Sequence, residues 1–212
     1  MHDLLVEIDR EIRAARRGVG TRVLGEGEAS VVTVSRAYAT DVEDLWAACT
    51  EPERIARWFL PVSGELRLGG RYQLEGNAGG TITACDPPRS FDATWEYGGA
   101  TSWIEVRVET DDAGARCTLS HIARVDDHWR TYGPGAAGIG WDLGLLGLAA
   151  HVEGGGTAPG QAEAWSTSDE GRGFITRAGR AWAVADTLAG CGPEDADARA
   201  DRTIAFYTGV AP

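Results

Sequence analysis

Apolar and polar residues alternate through the middle of the chain, a pattern typical of strands that bury one face. The first alternating run, residues 30–38, is rich in β-branched residues. Spacers of hairpin length, such as Gly69-Gly70 and Gly98-Gly99, separate six further runs. The pattern therefore predicts an antiparallel meander of about seven strands, the other six at residues 64–68, 71–76, 79–85, 90–97, 102–110 and 115–123.

Helical spacing of apolar residues occurs before and after the six hairpin-linked runs. Thr40 with Glu43 and Thr50 with Glu53 have the spacing of a capping box, so two short helices are expected after the first strand. A loop rich in glycine and proline is expected at 126–137. A long amphipathic helix should follow it, marked by Trp141, Leu145, Leu148 and Val152.

Four glycines lie in or just before this long helix, at positions 138, 140, 144 and 147. Glycine lowers helix propensity, so the helix needs tertiary support. We expect these glycines to let the helix lie close against the sheet, because glycine has no Cβ to hold two elements apart.

Both ends of the chain are predicted to be helical. Residues 3–17 show an amphipathic pattern, and the glycines within 18–27 predict a flexible link after it. Following a spacer at 153–161, helices are expected at 169–189 and from Pro193 to Tyr207. The expected organisation is an N-terminal helix within 1–20, an α+β core at 29–152 and a helical extension at 163–209.

The C-terminal extension must cover apolar surface, because its helices are amphipathic. It could be a lid over a binding site, pack against the same chain or form a subunit interface. We favour packing or homodimerisation over a lid, because only the spacer at 154–160 offers a hinge.

Composition excludes several classes of function. The 212 residues suit one domain, and a net charge of -12 disfavours nucleic acid and anionic membranes. Every basic residue is arginine, which excludes a phosphate-loop lysine and a pyridoxal-phosphate anchor. The four widely separated cysteines suggest neither a zinc site nor a disulfide framework. With no signal-peptide pattern and no long apolar stretch, a cytoplasmic protein without a cofactor or membrane insertion is expected.

Several strings along the core resemble one protein family. They are VTVSRAY, VEDLWAACTEPERIARWF, GGRYQLEG, DPPRSFDATWEY, and TLSH followed by a helix that begins with GW. With the spacing of Trp46, Pro52, Trp58 and Phe59, they resemble the heat-shock-protein-ninety ATPase activator homologue (AHSA-type) family. That family lies within the START and polyketide-cyclase-like (SRPBCC) superfamily, and the resemblance covers 29–152.

The resemblance implies a helix-grip fold, in which a curved antiparallel sheet wraps around a long C-terminal helix. It also implies a cavity of the kind that binds lipids, steroids, polyketides or hormones. The eukaryotic activators recruit their chaperone through a separate N-terminal domain, which the helix at 3–17 does not resemble. Chaperone activation is therefore not expected here.

Aromatic residues are numerous on the elements that would surround such a cavity, and they offer large contact areas to planar ligands. Core packing is the alternative role for each of them. The expected ligand-binding residues are Trp95, Tyr97, Trp103, His121, Trp129, Tyr132 and Trp141.

His121 is also the candidate general acid or base, with a structural role as the alternative. Ser120 is excluded as its nucleophile partner, because adjacent strand residues point to opposite faces. The segment Asp126, Asp127 and His128 is interpreted as a solvated loop rather than a metal site. Arg36 could pair with a carboxylate at the rim of the fold, and an ordinary structural ion pair is favoured.

Three functions are compatible with these residues. The favoured one is binding or sequestration of a small hydrophobic or aromatic metabolite by a bacterial protein that is not an enzyme. The second is a cyclase, dehydratase or hydrolase acting on a polyketide-type or lipid substrate, which ranks lower because no complete catalytic constellation is visible. The third is a stress-related interaction module that uses residues 163–209.

Overall fold

A computed structural model describes residues 2–25, 27–154 and 161–210 of the chain. The chain has the α+β fold predicted from its sequence. The helices are α1 (His2–Ala14), α2 (Val42–Thr50), α3 (Pro52–Trp58), α4 (Asp127–Tyr132), α5 (Gly135–Val152), α6 (Gln161–Ser166), α7 (Asp169–Leu188) and α8 (Pro193–Thr208). The strands are β1 (Ala15–Leu24), β2 (Gly27–Tyr38), β3 (Val62–Gly64), β4 (Arg71–Leu74), β5 (Gly79–Asp86), β6 (Ser90–Tyr97), β7 (Ala100–Asp111) and β8 (Gly114–Arg124).

The strands form one curved antiparallel sheet in the order β1-β2-β8-β7-β6-β5-β4-β3. From β3 to β8 each strand pairs with the next one along the chain, so the predicted meander is confirmed. Two-residue hairpins fix the register, with Tyr97 across from Ala100 and Asp111 across from Gly114. The curved sheet and the long helix α5 confirm the helix-grip fold.

The sheet has eight strands rather than the expected seven, because the segment after the N-terminal helix is β1 and not a flexible link. Val19, Thr21 and Val23 supply an alternating β-branched pattern there. A Cβ placed on Gly18 would lie 4.0 Å from the Thr33 Cβ of β2, so Gly18 lies in a strand that pairs with β2. The helix accordingly ends at Ala14 instead of residue 17.

Other boundaries also differ from the prediction. β3 covers only Val62–Gly64, where a strand at 64–68 was expected, because Gly64 and Gly69 adopt positive φ angles and turn the chain. Helix α4 occupies part of the expected loop, and α5 begins at Gly135, before the first apolar residue used to predict it. The helices predicted at 169–189 and from Pro193 to Tyr207 are confirmed as α7 and α8.

Helix α2 is capped by a different residue from the one predicted. The Asp41 carboxylate accepts a hydrogen bond from the Asp44 N–H at 2.8 Å, so Asp41 is the N-cap. The hydroxyl of Thr40, the expected cap, donates instead to Asp44 Oδ2 at 2.7 Å. Thr40 therefore supports the first turn of α2 from outside the helix.

The chain forms two compact units. The sheet unit comprises Ser35–Ala123 and Gly144–Pro159, and the helical unit comprises Met1–Val34, Arg124–Leu143 and Gly160–Pro212. The division into 1–20, 29–152 and 163–209 stays a prediction. None of the helices that the structure describes is long and apolar enough to cross a lipid bilayer.

A buried ion pair lies in the helical unit. Arg17 Nε on β1 donates to Asp142 Oδ2 on α5 at 3.0 Å, and Trp182 Nε1 on α7 donates to the same oxygen at 2.8 Å. Asp142 is only 3% exposed, and this burial raises the pKa of its carboxyl although Arg17 and Trp182 oppose the change. The pair therefore links three elements of this unit.

The glycines of α5 pack against other helices, and not against the sheet as expected. In the helical unit, a Cβ on Gly138 would overlap the Trp182 ring of α7. In the sheet unit, a Cβ on Gly147 would lie 2.5 Å from the carbonyl oxygen of Trp58, at the end of α3. The two close approaches require glycine because any side chain would displace the neighbouring helix.

Candidate functional site

One face of the sheet unit is turned towards α5 and is largely apolar. Tyr38 identifies this face, because its hydroxyl donates to the Leu145 carbonyl of α5 at 3.3 Å. Tyr38 also lies near Cys117, which pairs across from Val108. Cys117 and Val108 therefore lie on the same face of the sheet as Tyr38. We call this side the inner face; on β6–β8 it comprises Phe91, Ala93, Trp95, Ser102, Ile104, Val106, Val108, Cys117, Leu119 and His121.

Two polar side chains on the inner face are hydrogen-bonded to each other. Trp95 lies across from Ser102, and Ile104 lies across from His121, so Ser102 and His121 are diagonal neighbours on adjacent strands. His121 Nε2 is 2.8 Å from Ser102 Oγ. The Trp95 ring centroid lies 6.1 Å from that of His121. We call these three residues the inner-face cluster.

The hydrogen bonds of Ser102 favour one tautomer of His121. The Ser102 hydroxyl also donates to the Trp95 carbonyl, at 3.2 Å. Since a hydroxyl has a single proton, Ser102 Oγ then serves as the acceptor for a proton on His121 Nε2. The serine is thus oriented by a backbone carbonyl and in turn orients the imidazole.

Burial lowers the pKa of His121 to about 4, because desolvation disfavours the charged imidazolium. The ring is therefore uncharged at neutral pH. A base whose pKa lies far below the working pH accepts protons poorly in a reaction. These properties suit a hydrogen-bonding contact better than the general base proposed from the sequence.

Helix α2 covers the opposite end of the inner face from the cluster. The Trp46 ring of α2 packs edge-on against Phe91, with ring centroids 6.1 Å apart. Cys49, in the last turn of α2, lies beside Cys117. Trp58 Nε1 donates to the Ala48 carbonyl at 2.9 Å and so holds α3 against α2.

Two of the four expected ligand residues on the strands lie away from the cluster. Trp103 pairs across from Ile122 and therefore points to the outer face, opposite to His121. Tyr97 is on the inner side but at the tip of the β6–β7 hairpin, where it is 62% exposed. The structure thus brings Trp95 and His121 together and separates them from Trp103 and Tyr97.

The other three expected ligand residues, Trp129, Tyr132 and Trp141, belong to the helical unit. The Tyr132 ring lies 5.9 Å from that of Phe206 on α8, and Trp141 is buried on α5. Trp129 is partly buried on α4. The three expected ligand residues of the helical unit therefore lie on helices α4 and α5.

The segment interpreted as a solvated loop is the start of α4. Asp126 caps this helix by accepting a hydrogen bond from the Trp129 N–H at 2.8 Å, and Asp127 forms an exposed ion pair with Arg130. The His128 ring lies 4.8 Å from that of Tyr132. Within the described part of the chain, no group of three or more histidine, cysteine or acidic side chains is placed to hold a metal ion.

A separate groove of about 860 Å³ opens at the α2 end of the sheet unit. Residues 39–43, which lead into α2, line it together with Arg89, Val108, Glu109 and Gly114. It contains none of the ligand residues expected from the sequence. The inner-face cluster and this groove are therefore distinct features.

Comparison with known proteins identifies relatives of this chain. The family model described as "Activator of Hsp90 ATPase homolog 1-like protein" matches residues 39–153. The crystal structure of CalU16 from Micromonospora echinospora is 31% identical with a TM-score of 0.67, over 81% of this chain and 98% of its own. Its solution NMR structure gives 30% identity and a TM-score of 0.69, over 83% of this chain and 97% of its own.

A more distant structure shares the fold alone. DynU16, described as a protein in the dynemicin biosynthetic locus, is 18% identical with a TM-score of 0.52, over 59% of this chain and 48% of its own. No curated protein gives a significant sequence match. Because the family model spans more than half of the chain and CalU16 is similar along nearly its whole length, the chain belongs to the Activator of Hsp90 ATPase homolog 1-like family, within the SRPBCC superfamily predicted from its motifs.

Proposed function

We propose that the inner face of the sheet unit binds a small, largely apolar aromatic molecule, which the protein carries or sequesters without chemical turnover. The observation that carries this proposal is the inner-face cluster: an uncharged His121, hydrogen-bonded to Ser102 beside the Trp95 ring. Small-molecule sites are typically apolar surfaces with a few placed polar groups. The cluster provides that combination.

Partial exposure of the cluster supports this proposal. Trp95, Ser102 and His121 are each only partly buried, whereas Ile104 among them is 6% exposed. The hydrogen bond between Ser102 and His121 compensates for their partial burial, and the part that stays exposed is accessible to a ligand. A planar ligand could stack on Trp95 and hydrogen-bond to His121. The partly exposed position of the cluster fits this role.

Relatives suggest which molecules to test first. SRPBCC domains bind small hydrophobic ligands, and DynU16 is described as a protein of the dynemicin biosynthetic locus. Small aromatic biosynthetic products are therefore the first class to screen. Native mass spectrometry and dye displacement against such compounds, lipids and polyketides would test the general proposal.

The site itself can be tested with a matched pair of tryptophans on adjacent strands. The probe is N-phenyl-1-naphthylamine, an uncharged aromatic dye whose fluorescence rises in apolar surroundings. Trp95→Leu, on the inner face, should weaken dye binding by about two- to twelve-fold, since an aromatic contact contributes about 0.5–1.5 kcal/mol beyond area burial. Trp103→Leu, on the outer face, should change it by less than about two-fold once the folded fraction is equalised.

Equal weakening by the two replacements would contradict the assignment of the site to the inner face. A wild-type protein that binds neither the dye nor any screened compound would contradict ligand binding altogether. Chemical-shift changes confined to β6–β8 on dye addition would support the site independently of any replacement.

A further inference from the structure

We infer that the groove at the α2 end of the sheet unit is a second binding site, which accepts a small organic cation with an ammonium group on an apolar body. The groove measures about 860 Å³, within the range of about 300–1,000 Å³ typical of small-molecule pockets. All of its lining residues belong to the sheet unit, and none is part of the inner-face cluster. A ligand in the groove would therefore occupy a different place from one beside Trp95.

Backbone contacts hold the walls of the groove in place. One wall is the segment 39–43 that leads into α2, and the other is the hairpin between β7 and β8. At this hairpin, a Cβ placed on Gly114 would lie 2.5 Å from the Tyr38 carbonyl oxygen. The Val108 N–H donates to the Arg89 carbonyl at 2.8 Å, so the turn before β6 is attached to β7. The groove is therefore preorganised, which lowers the entropic cost of binding.

Part of the groove is apolar. Ala39 and Val42 belong to one wall, and Val108 and Ala113 belong to the strand and hairpin on the other side. An apolar ligand body that covers these residues gains hydrophobic stabilisation in proportion to the area removed from water. A simple inorganic cation would not use this part of the groove.

The charged residues of the groove are mainly acidic. Asp41, Glu43 and Glu109 line it together with Arg89. The Arg89 guanidinium donates to both carboxylate oxygens of Asp86, each at 3.0 Å, so its charge is compensated within the protein. The lining therefore has an excess of negative charge, which complements a cation.

Two of the three carboxylates have no counter-charge in the protein. Within the part of the chain that the structure describes, the side chains of Glu43 and Glu109 form no ion pair or hydrogen bond. Arg116 pairs across from Glu109, but its guanidinium donates to Asp111 at 2.8 Å instead. A primary ammonium group has three donors and would supply the counter-charge that Glu43 and Glu109 lack.

The groove does not suit an anion. Asp41 accepts the Asp44 N–H as the cap of α2, so this backbone donor is already used. The net charge of the chain is -12, and its long-range field attracts cations and repels anions. That field acts over the whole surface, so selectivity for the groove must come from its own carboxylates and apolar residues.

Two naphthalene probes that differ in charge test this inference. 1-Naphthylmethylamine is protonated at neutral pH, whereas 1-naphthalenemethanol has the same ring system and no charge. In proton–nitrogen NMR titrations of the full chain at low ionic strength, the amine should shift the amide signals of residues 39–43 and 108–114. It should bind there about two- to thirty-fold more tightly than the alcohol, the range expected for two exposed ion pairs. Added salt should reduce this preference by screening the charges.

Glu43→Gln/Glu109→Gln is the test variant, and Glu53→Gln/Glu75→Gln is the matched control. Each removes two exposed carboxylates from the sheet unit, one of them from the first turn of a short helix. Neither Glu53 nor Glu75 lines the groove. The test variant should lower the affinity for the amine by about two- to thirty-fold and change that for the alcohol by less than about two-fold. The control should keep the wild-type preference for the amine.

Three results would overturn the inference. The first is equal binding of amine and alcohol by the wild type, which needs no variant to fold. The second is an equal loss of amine affinity in the two double variants, since the overall charge and not the groove would then attract the cation. The third is a tetra-arginine peptide that shifts the groove residues while the amine does not, which would indicate a protein partner.

The groove can also be tested separately from the inner face. Trp95→Leu should leave the amine-induced shifts at residues 39–43 unchanged. Loss of these shifts in Trp95→Leu, or amine-induced shifts confined to the inner-face cluster, would overturn the second site and leave the proposed function standing.

Discussion

Replacing His121 by Gln tests the electrostatics of the inner-face cluster through the pH dependence of stability. His121 has a pKa of about 4 in the folded protein, against an ordinary value of 6.5, because it is desolvated. As the pH falls, the unfolded chain binds a proton on this side chain before the folded protein does. The lowered pKa of His121 therefore contributes to stability in full above pH 6.5, and this contribution is lost as the pH falls from 6.5 to 4.

The size of the effect follows from the gap between the two pKa values. At about 1.4 kcal/mol per pH unit, the gap between the two pKa values corresponds to about 3.5 kcal/mol, of which about 2.5 kcal/mol is lost by pH 4.5. Carboxylates also titrate in this range, so the informative quantity is the difference between wild type and His121→Gln. That difference in the free energy of unfolding should shrink by about 2.5 kcal/mol between pH 7.5 and 4.5.

Urea unfolding followed by tryptophan fluorescence at several pH values would measure this difference. His128→Gln, which removes an exposed histidine of α4, is the matched control for the replacement of a histidine by glutamine. A wild-type minus His121→Gln difference that stays flat with pH would refute the reasoning. So would an NMR titration in which the His121 ring protonates near pH 6.5.

Two further predictions concern buried charge and packing. Arg17→Met should lower the free energy of unfolding by about 3–5 kcal/mol at pH 7, because it leaves Asp142 buried without its cation. Arg10→Met, at an exposed arginine, should change this free energy little, and a loss below about 1 kcal/mol for Arg17→Met in urea unfolding would contradict the prediction. Gly147→Ala should destabilise the protein by about 1–3 kcal/mol, because its Cβ would strike the Trp58 carbonyl. Gly144→Ala, whose Cβ would have its nearest neighbours at 3.8 Å, should be neutral or stabilising, so equal melting temperatures for the two variants would contradict the prediction.

The meander could be predicted because short hairpins dominate it. Two-residue turns at 98–99 and 112–113 leave little freedom in register, so the partners of β6, β7 and β8 follow from counting along the sequence. The same counting places Ser102 next to His121. The residue beside His121 in the sequence, Ser120, does not reveal this pair. It also places Trp103 on the outer face, which composition alone did not show.

Other features could not be read from local patterns. Arg17 and Asp142 are 125 positions apart, and nothing in the sequence near either residue indicates a buried partner. Gly18 and Gly20, two of the four glycines that predicted a flexible link, lie in β1, because pairing with β2 outweighs the low strand propensity of glycine. In each case a tertiary contact decides the outcome, and local propensity does not record it.

The choice between a carrier and an enzyme depends on the proton affinity of His121. A general base for neutral pH would need a carboxylate nearby to raise its pKa, as in Ser-His-Asp sites. The inner-face positions on β6–β8 hold no such residue, and burial alone lowers the pKa instead. If turnover of any substrate were found and lost in His121→Ala with folding intact, the ligand itself would have to supply the missing negative charge.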